Sequence, residues 1–282
     1  MRRNLMRFNT GQRHPYEFEV THHEIPMCGL PKSAEGLIVA HLTDFHAGYA
    51  SIDIVHEEVV RQVQAVCPDL ILLTGDYVDR RTDIADSPLR IERTLASMKA
   101  PLGKFAVLGN HDHYRGIVTS TRLLEKADVH PLLNESLRLD NGLWLAGIDD
   151  YRAGTPHISQ ALDSLPSDQT SLVMTHNPVL FRHLESRKIV VFSGHTHGAQ
   201  VAVPFPSPKL VCWVKLGSPY VAGWYQRGES RLYVSRGIGV TRRPYRYHCP
   251  AEVTFFRLVS VPIGVSLLSG DDGRHSVREN TR

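Results

Sequence analysis

The stretches LIVAHLTD (residues 37–44), DLILLTGD (69–76) and KFAVLGNHD (104–112) decide the fold of this chain. Each is a short apolar run that stops at a polar word, which is typical of a buried strand that ends at a functional edge. Apolar residues at helical spacing in 53–66 and 88–99 predict helices between these strands. Because strands that alternate with helices favour parallel pairing, the three polar words are expected at one sheet edge.

The rest of the chain is richer in strand signals. Residues 16–25 alternate between apolar and polar side chains and predict a half-exposed strand, which a turn-like stretch at 26–36 follows. A helix is predicted at 179–187. Further strands are predicted at 129–133, 136–140, 143–148, 171–175, 189–193, 231–235 and 252–259. We expect one domain over residues 16–260, between a flexible basic arm (1–15) and a polar C-terminal tail (261–282).

The composition is that of a soluble globular protein, with 282 residues of which 42% are apolar and 22% charged. No apolar run approaches the roughly 18 residues of a membrane span, and no apolar segment follows the N-terminal arginines as in a signal peptide. The four cysteines lie far apart, so neither disulfides nor a zinc knuckle is expected. We therefore predict a cytoplasmic protein. The arm is interpreted as a disordered tail, with peripheral attachment to anionic lipid at the inner membrane face as the alternative, through Arg2, Arg3, Arg7 and Arg13.

Carboxylates, imidazoles and one amide follow the ends of the predicted strands. In an extended segment, side chains two residues apart point the same way, so D-x-H and H-x-H each direct two ligands to one point. Mixed nitrogen and oxygen ligands suit Mn, Fe, Zn or Co. The set exceeds what one ion needs and fits two divalent metal ions that share a carboxylate. Its members are Asp44, His46, Asp76, Asn110, His176, His195 and His197.

The order of these words resembles the signature of the calcineurin-like metallophosphoesterases. That signature reads D-x-H, G-D-x-x-D, G-N-H-D, H and G-H-x-H. This sequence supplies each word in order, as Asp44 with His46, Gly75-Asp76 with Asp79, residues 109–112, His176 and residues 194–197. The resemblance covers about residues 16–260 and implies an α/β/β/α fold, a two-sheet β-sandwich flanked by helices with the metals on one rim.

The resemblance also implies a role for each residue. Asp76 would bridge the two ions, and the ions would make hydroxide available to attack phosphorus. His111 would protonate the leaving oxygen, while Asp112 would bind the His111 imidazole and keep it cationic. Asp79 is expected to be a supporting residue. One ion would be completed by Asp44, His46 and His197, and the other by Asn110, His176 and His195.

Each residue also has a simpler structural interpretation when it is taken alone. An aspartate after a strand can cap the following helix, and Asp112 could cap a helix that begins near Arg115. His41 lies within a buried strand and is expected to be a core residue rather than a ligand. Surface positions rather than ligand roles are expected for His113, His130, His157 and His183. Only the ordered set favours a metal site.

The segments 24–48 and 235–258 resemble a bacterial subgroup of this family, which has an L-P motif before the first catalytic strand and G-I-G, P-x-R and P-x-E words near the end. Ala199 replaces the final glycine of the subgroup's G-H-T-H-G-G-Q word. The subgroup includes UDP-2,3-diacylglucosamine pyrophosphatases, so this compound or a related phospholipid-like substrate is the single substrate we expect first.

Two segments near the predicted site allow more than one interpretation. The apolar stretch 201–223 is expected to be core or sheet packing, with a lip for acyl chains or a membrane face as the alternative. A basic rim for a phosphate-bearing substrate is predicted at Arg236, Arg242, Arg243 and Arg246, with a solvated loop as the alternative.

Other functions are compatible with the same fold. A generic phosphodiesterase or phosphatase would use the same ligands. A nuclease would call for an additional DNA-binding domain, and we do not expect nucleic acid as a partner. A non-catalytic scaffold is expected to have lost ligands, whereas here every ligand position is filled. The sequence predicts an enzyme and leaves its metal and oligomeric state open.

Overall fold

Two packed β-sheets form the centre of the molecule. The computed structural model describes residues 4–6, 18–48, 53–79, 86–202, 205–242 and 244–262. With strands numbered in chain order, the first sheet runs β1 (Asn4–Met6), β2 (Phe18–Cys28), β13 (Ala251–Val261), β3 (Ile38–Leu42), β4 (Leu70–Leu73), β5 (Lys104–Ala106) and β6 (His130–Pro131). The second sheet runs β11 (Gly223–Arg227), β12 (Ser230–Val234), β10 (Ile189–Ser193), β9 (Ser171–Thr175), β8 (Trp144–Ile148) and β7 (Glu135–Arg138).

Helices cover the outer faces of both sheets. Short 3₁₀ turns are found at Lys32–Ala34, Pro178–His183 and His197–Ala199. The α-helices are α1 (Asp53–Val66), α2 (Ser87–Ser97), α3 (Asn110–Arg115), α4 (Ile117–Lys126), α5 (Ile158–Leu162) and α6 (Pro208–Leu216). One apolar core lies between the first sheet and α1, α2 and α4, a second between the sheets, and a third between the second sheet and α5. The layers are therefore α/β/β/α, as the sequence predicted.

Strand β4 shows why apolar runs mark the centre of this fold. All four of its residues are buried, and they alternate between two cores. Ile71 and Leu73 join the core under the helices, whereas Leu70 and Leu72 join the core between the sheets. A strand covered on both faces has no solvent side, so its sequence is apolar throughout rather than alternating.

Parallel pairing brings the ends of several strands to one rim. β3, β4 and β5 pair in parallel in the first sheet, and β8, β9 and β10 do so in the second. The loops after β3 and β10 meet across the sandwich, where the His195 N–H donates to the Asp44 carboxylate at 3.0 Å. This rim is the place where the sequence predicted the functional residues.

Several predicted elements differ in the structure. The helix predicted at 179–187 is the 3₁₀ turn Pro178–His183. α3 and α4 lie in a segment where a helix near Arg115 was only an alternative interpretation. Residues 208–216 of the stretch expected to be core or sheet packing form α6, whose largest side chains are exposed. The packing interpretation is therefore wrong for this helix, because Cys212 is the residue of α6 that is buried against the domain.

The chain ends were predicted to be flexible segments. Residues 4–6 of the predicted arm form β1 and pair antiparallel with β2. The remainder of the arm, with Arg2, Arg3, Arg7 and Arg13, and the tail beyond Pro262 lie outside the described residues, so the domain limits stay predictions. In the described part of the chain, every helix is too short or too polar to cross a bilayer.

Candidate metal centre

The predicted ligands meet at the rim where the strands end. Asp44 and Asp76 follow β3 and β4, and Asn110 opens α3 just after β5. His176 follows β9, and His195 follows β10. All the predicted ligands are buried. Burial of so many polar side chains is costly unless they are paired or bind an ion.

The first group of ligands is Asp44, His46 and His197. One ligand atom from each lies within 4.8 Å of the others. His197 Nε2 is 3.2 Å from Asp44 Oδ1 and 3.0 Å from His46 Nε2. Two imidazole nitrogens and a carboxylate oxygen thus face one point, as ligands of a single ion do.

The second group is Asp76, His176 and His195, again with ligand atoms within 4.8 Å of one another. His176 Nε2 is 3.3 Å from Asp76 Oδ2 and 3.1 Å from His195 Nδ1. Two further buried atoms, Asn110 Oδ1 and His195 Nε2, have no hydrogen-bond partner in the described part of the chain. Buried polar atoms are normally satisfied, so these two fit ligands of a bound cation.

A single carboxylate oxygen lies between the two groups. Asp76 Oδ2 is 3.5 Å from His46 Nε2 in the first group and 3.3 Å from His176 Nε2 in the second. The other oxygen, Oδ1, accepts the His111 N–H at 2.8 Å, which fixes the orientation of the carboxylate. The residues thus fit two divalent ions with Asp76 shared between them.

Left-handed backbone conformations, rather than strand alternation, aim these ligands. The expectation that D-x-H and H-x-H act as extended segments is wrong, because their residues turn back after the strands. Non-glycine residues rarely adopt positive φ, and each one costs about 1–3 kcal/mol unless its surroundings enforce it. Here φ is positive at Asp44 (54°), His46 (46°), Asp76 (57°), His195 (70°) and His197 (53°).

Glycines in the motifs leave room for the carboxylates. A Cβ atom at Gly109 would lie 2.3 Å from Asp76 Oδ1, and one at Gly194 would lie 2.2 Å from Asp44 Oδ2. Both distances are far below van der Waals contact. The glycines of G-N-H-D and G-H-x-H are therefore required because the metal-facing carboxylates pack directly against their backbone.

Outer groups orient the imidazoles. His176 Nδ1 is 2.7 Å from the Thr74 carbonyl, which holds its proton on Nδ1 and leaves Nε2 to face the site. His46 Nδ1 lies 3.3 Å from Asp79 Oδ2 in the same way. Asp79 also forms a third group of closely spaced potential ligands with His46 and His111. It contacts the imidazoles of both residues, which fits the supporting role that the sequence predicted.

Charge coupling keeps the carboxylates ionised. Burial alone would raise the pKa of Asp44, but the nearby His197 and His46 lower it well below its usual range. Burial also raises the pKa of Asp76, but the nearby His176 lowers it by more, so the pKa of Asp76 is below its usual value. Burial likewise lowers the pKa of His195 to about 3, so this imidazole is neutral and able to donate its lone pair.

His111 lies beside the ligands without belonging to either group. Its ring is edge-on to His46, with centroids 4.6 Å apart, and its Nδ1 is 3.8 Å from Asp79 Oδ1. Burial lowers the pKa of His111 to about 4, although Asp76 and Asp79 raise it. In the metal-free protein, burial thus favours the neutral form of this imidazole.

The predicted partnership of Asp112 with His111 is wrong. Both Asp112 oxygens are taken by backbone N–H groups, those of Asp76 (2.7 Å), Tyr77 (3.0 Å) and Gly109 (2.8 Å). As the third residue of α3, Asp112 turns back to the exposed amides at the start of the helix instead of toward the pocket. Burial and the charge of Asp76 raise the pKa of Asp112 to about 7.

The predicted arginine rim is only partly present. Arg236 forms ion pairs with Glu19 and Glu252 and is not among the pocket residues. Arg242 is exposed and lines the pocket above the ligands, and Arg243 lies outside the described residues. Arg246 is 7% exposed, so its predicted place on the rim is wrong. It donates to the carbonyls of Gly239, at 2.9 Å through Nε, and Gly237, at 3.0 Å, because a buried guanidinium needs acceptors for its N–H groups.

The other histidine predictions can also be compared with the structure. The expected surface positions are confirmed for His130, His157 and His183. His41 is a core residue as expected, fully buried with Nε2 2.9 Å from Thr74 Oγ1. His113 was expected at the surface, but its side chain is 4% exposed and lies 2.6 Å from Asp149. The correction follows from the loop after β8, which packs Asp149 against α3.

The loop after β8 carries a site residue that the sequence analysis missed. Arg152 lines the pocket, together with Tyr114, Thr241 and Leu216. Asp150 accepts the Arg152 N–H at 2.8 Å and so fixes the loop that presents this arginine. The signal was present in the sequence, because the polar word DDYR directly follows β8 at the same rim.

Known proteins can be compared with this centre. The sequence profile of the calcineurin-like phosphoesterases matches residues 37–199, more than half of the chain. An uncharacterized metallophosphoesterase of Bacillus subtilis, YkuE, is 29% identical over 255 residues, which cover 87% of each chain. A Helicobacter pylori metallophosphoesterase is 34% identical over 238 residues, which cover 82% of this chain and 62% of that protein. The UDP-2,3-diacylglucosamine pyrophosphatase LpxG of Chlamydia trachomatis is 28% identical over 295 residues, which cover 83% and 88%.

The family profile spans the strand ends after β3, β4, β5, β9 and β10, where the acidic, amide and imidazole side chains described above converge. The chain therefore belongs to the calcineurin-like phosphoesterase family and is a metal-dependent phosphoester hydrolase.

Proposed function

We propose that this protein hydrolyses a phosphodiester or pyrophosphate bond at a centre of two divalent metal ions. The observation that carries the proposal is the position of Asp76 Oδ2, within 3.5 Å of one imidazole from each ligand group. A shared carboxylate between two ligand groups is the arrangement of dinuclear phosphate-cleaving sites.

We assign one ion to each ligand group, which is the division that the family resemblance implies. The first ion is assigned to Asp44, His46, His197 and Asp76. The second is assigned to His176, His195, Asn110 and Asp76. When bound, two such ions supply Lewis acidity at the phosphoryl oxygens and lower the pKa of water. The nitrogen and oxygen ligands accept Mn, Fe, Zn or Co.

His111 is proposed as the general acid for the leaving oxygen. His111 lines the pocket beside Asn110. It belongs to neither of the two ligand groups that share Asp76. Its lowered pKa means that it needs an added negative charge nearby to hold a proton at neutral pH. The negative charge of a bound phosphoryl group favours the protonated form of His111, whereas the two metal ions oppose it.

Arg152 and Arg242 are proposed as the residues that bind the substrate phosphate. Both line the pocket that also holds His46 and Asn110. A guanidinium donates two parallel hydrogen bonds to a phosphate and stays charged throughout the working pH range. Two arginines at one mouth favour a substrate with two negative charges, which a disubstituted pyrophosphate carries and a simple phosphodiester does not.

The specific substrate that we propose is UDP-2,3-diacylglucosamine or a closely related phospholipid-like pyrophosphate. The similarity to LpxG of Chlamydia trachomatis supports this choice. The presence of Leu216 among the pocket residues also supports it, since this residue ends the apolar helix α6. Such a substrate has a charged pyrophosphate beside acyl chains, which match the two kinds of surface at the mouth.

The test uses metal-stripped protein that is re-supplied separately with Mn²⁺, Zn²⁺, Co²⁺ or Fe²⁺. Each form is assayed on bis-p-nitrophenyl phosphate, p-nitrophenyl phosphate and UDP-2,3-diacylglucosamine. Metal-dependent turnover that is highest on the UDP-linked lipid supports the proposal. Higher turnover on the diester or monoester would replace it with a generic phosphodiesterase or phosphatase. Two bound ions without turnover on any substrate would contradict it and favour a scaffold.

A further inference from the structure

Helix α6 turns an apolar stripe toward solvent. Leu210, Trp213 and Val214 follow the i, i+3, i+4 spacing of one helix face, and they are 45%, 59% and 72% exposed. Phe205, just before the helix, is 87% exposed. A surface helix normally turns such a stripe inward against the core. An outward apolar stripe instead marks a contact with an apolar partner.

The surroundings of this stripe are basic in sequence. Lys209 and Lys215 are exposed on α6 itself. No acidic residue occurs between Glu185 and Glu229, or between Glu229 and Glu252. A helix that combines Trp and aliphatic residues on one face with flanking lysines has the composition of helices that lie in the surface of an anionic bilayer.

The C-terminal end of the same helix reaches the pocket. Leu216, the last residue of α6, lines the pocket together with His46, His197 and Arg242. A surface that contacts α6 therefore also borders the mouth of the metal centre. The exposed Arg242 at that mouth adds one more positive charge near the α6 lysines.

We propose that Phe205 and the outward face of α6 (Leu210, Trp213 and Val214) rest on an anionic lipid bilayer. Lys209 and Lys215 would lie at the level of the lipid phosphates, and the aromatic rings would enter the boundary between headgroups and acyl chains. Docking in this way places the pocket mouth against the lipid surface. The consequence that an amphiphilic phosphoester enters the site from the bilayer rests on the proposed function, whereas docking itself does not.

Charge favours a bilayer over a second copy of this chain. In a two-fold contact the same patch meets itself, so Lys209 and Lys215 would face the lysines of the other copy. Like charges at such a contact oppose association. Anionic headgroups instead attract each lysine near the surface by about 1 kcal/mol at moderate salt.

The test measures co-sedimentation of the metal-loaded full chain with phosphatidylcholine vesicles, with and without phosphatidylglycerol. We expect binding that requires phosphatidylglycerol and weakens as salt is added. Trp213→Ser with Val214→Ser should reduce vesicle affinity by about tenfold or more, since two exposed apolar side chains no longer enter the lipid. Lys209→Glu with Lys215→Glu should reduce it by a similar factor.

The matched control is Leu89→Ser with Val118→Ser, which removes exposed apolar side chains from α2 and α4. This control should bind vesicles as the wild type does. Hydrolysis of bis-p-nitrophenyl phosphate should be unchanged in the Trp213/Val214 variant and in the control, which separates docking from catalysis. If the protein has no turnover at all, vesicle binding still tests the docking surface.

Three results would overturn the docking proposal. One is wild-type protein that leaves phosphatidylglycerol vesicles unbound. Another is undiminished vesicle binding by the Trp213→Ser, Val214→Ser variant. The third is a concentration-dependent dimer of the wild type that this variant converts to monomer, because that result assigns the apolar face to a second copy.

Discussion

The Asp112 carboxylate accepts a hydrogen bond from the backbone N–H of Asp76 at 2.7 Å. The Asp112 carboxylate also accepts hydrogen bonds from the backbone N–H groups of Tyr77 and Gly109. One side chain therefore connects the loop after β4 to the start of α3. Asp76 has a left-handed backbone at this point, which its surroundings must enforce. Asp112 is therefore a positioning residue for the shared metal ligand rather than a partner of His111.

Asp112→Ala should weaken binding of the metal pair by about 10–100-fold, the usual effect of losing an outer-shell contact. It should also lower the free energy of unfolding by about 1–3 kcal/mol because buried amides lose their acceptor. Metal titration and denaturant unfolding measure the two effects. Asp112→Asn should recover part of both, since its amide oxygen can still accept. Normal metal affinity in Asp112→Ala, with turnover alone reduced, would restore the predicted role beside His111.

Asp76→Ala should abolish paired metal binding and turnover together. The substitution removes the one oxygen that lies near an imidazole from each ligand group. Metal content per chain after dialysis is the measurement. Asp79→Asn is the control, because Asp79 contacts His46 from behind and should weaken metal binding by only about 10–100-fold. Two ions retained in Asp76→Ala would exclude the shared-carboxylate arrangement.

His111→Ala should keep two ions and reduce turnover by about 10²–10⁴-fold, the usual contribution of a general acid. The loss should be greatest on substrates with a poor leaving group and small on p-nitrophenyl esters, whose leaving oxygen needs no proton. Comparing kcat on an alkyl and a p-nitrophenyl diester with the same protein tests this. An equal loss on both substrates would show that His111 acts by some means other than proton donation.

Arg246→Ala should destabilise the fold by about 2–4 kcal/mol, because its guanidinium holds several loop carbonyls below His197 that would be left unpaired. Arg242→Ala at the exposed pocket edge should change stability by less than about 0.5 kcal/mol and raise KM about tenfold. Chemical denaturation and steady-state kinetics measure the pair. If Arg246→Ala had unchanged stability and a raised KM, the originally predicted role of Arg246 in substrate binding would be correct.

Stability should decrease in mild acid because of His41. Burial lowers its pKa from 6.5 to about 4, although Glu252 and Asp44 raise it. The unfolded chain takes up this proton as the pH falls below 6.5, whereas the folded chain does so only near pH 4. The contribution of His41 to the free energy of unfolding is therefore fully present above pH 6.5. It decreases by about 3 kcal/mol as the pH falls toward 4.

The measurement is the difference in unfolding free energy between wild type and His41→Gln across this pH range. Glutamine keeps a polar group near Thr74 but does not titrate. The difference should change in favour of the variant as the pH falls. A difference that stays constant with pH would mean that His41 is not the source of the acid sensitivity.

The sequence by itself identified the strands and the candidate ligands, and its resemblance to the calcineurin-like family implied the α/β/β/α layers and the two ligand groups. Covered strands such as β4 must be apolar on both faces, so their position and their polar ends can be read directly. The ligand words identify chemistry because carboxylates and imidazoles at consecutive strand ends have few other uses. The division into Asp44, His46 and His197 against Asp76, His176 and His195 agrees with the structure. The cytoplasmic location and the candidate metals Mn, Fe, Zn and Co stay predictions.

Only the tertiary structure decided which groups the charged side chains form hydrogen bonds with. Asp112 binds the amide of Asp76, thirty-six positions away in the chain, and Arg246 is buried against loop carbonyls rather than exposed at the rim. It also decided that the apolar stripe of α6 faces outward. Periodicity reports that a helix has an apolar face, but the side toward which that face turns depends on what the remainder of the chain packs against it.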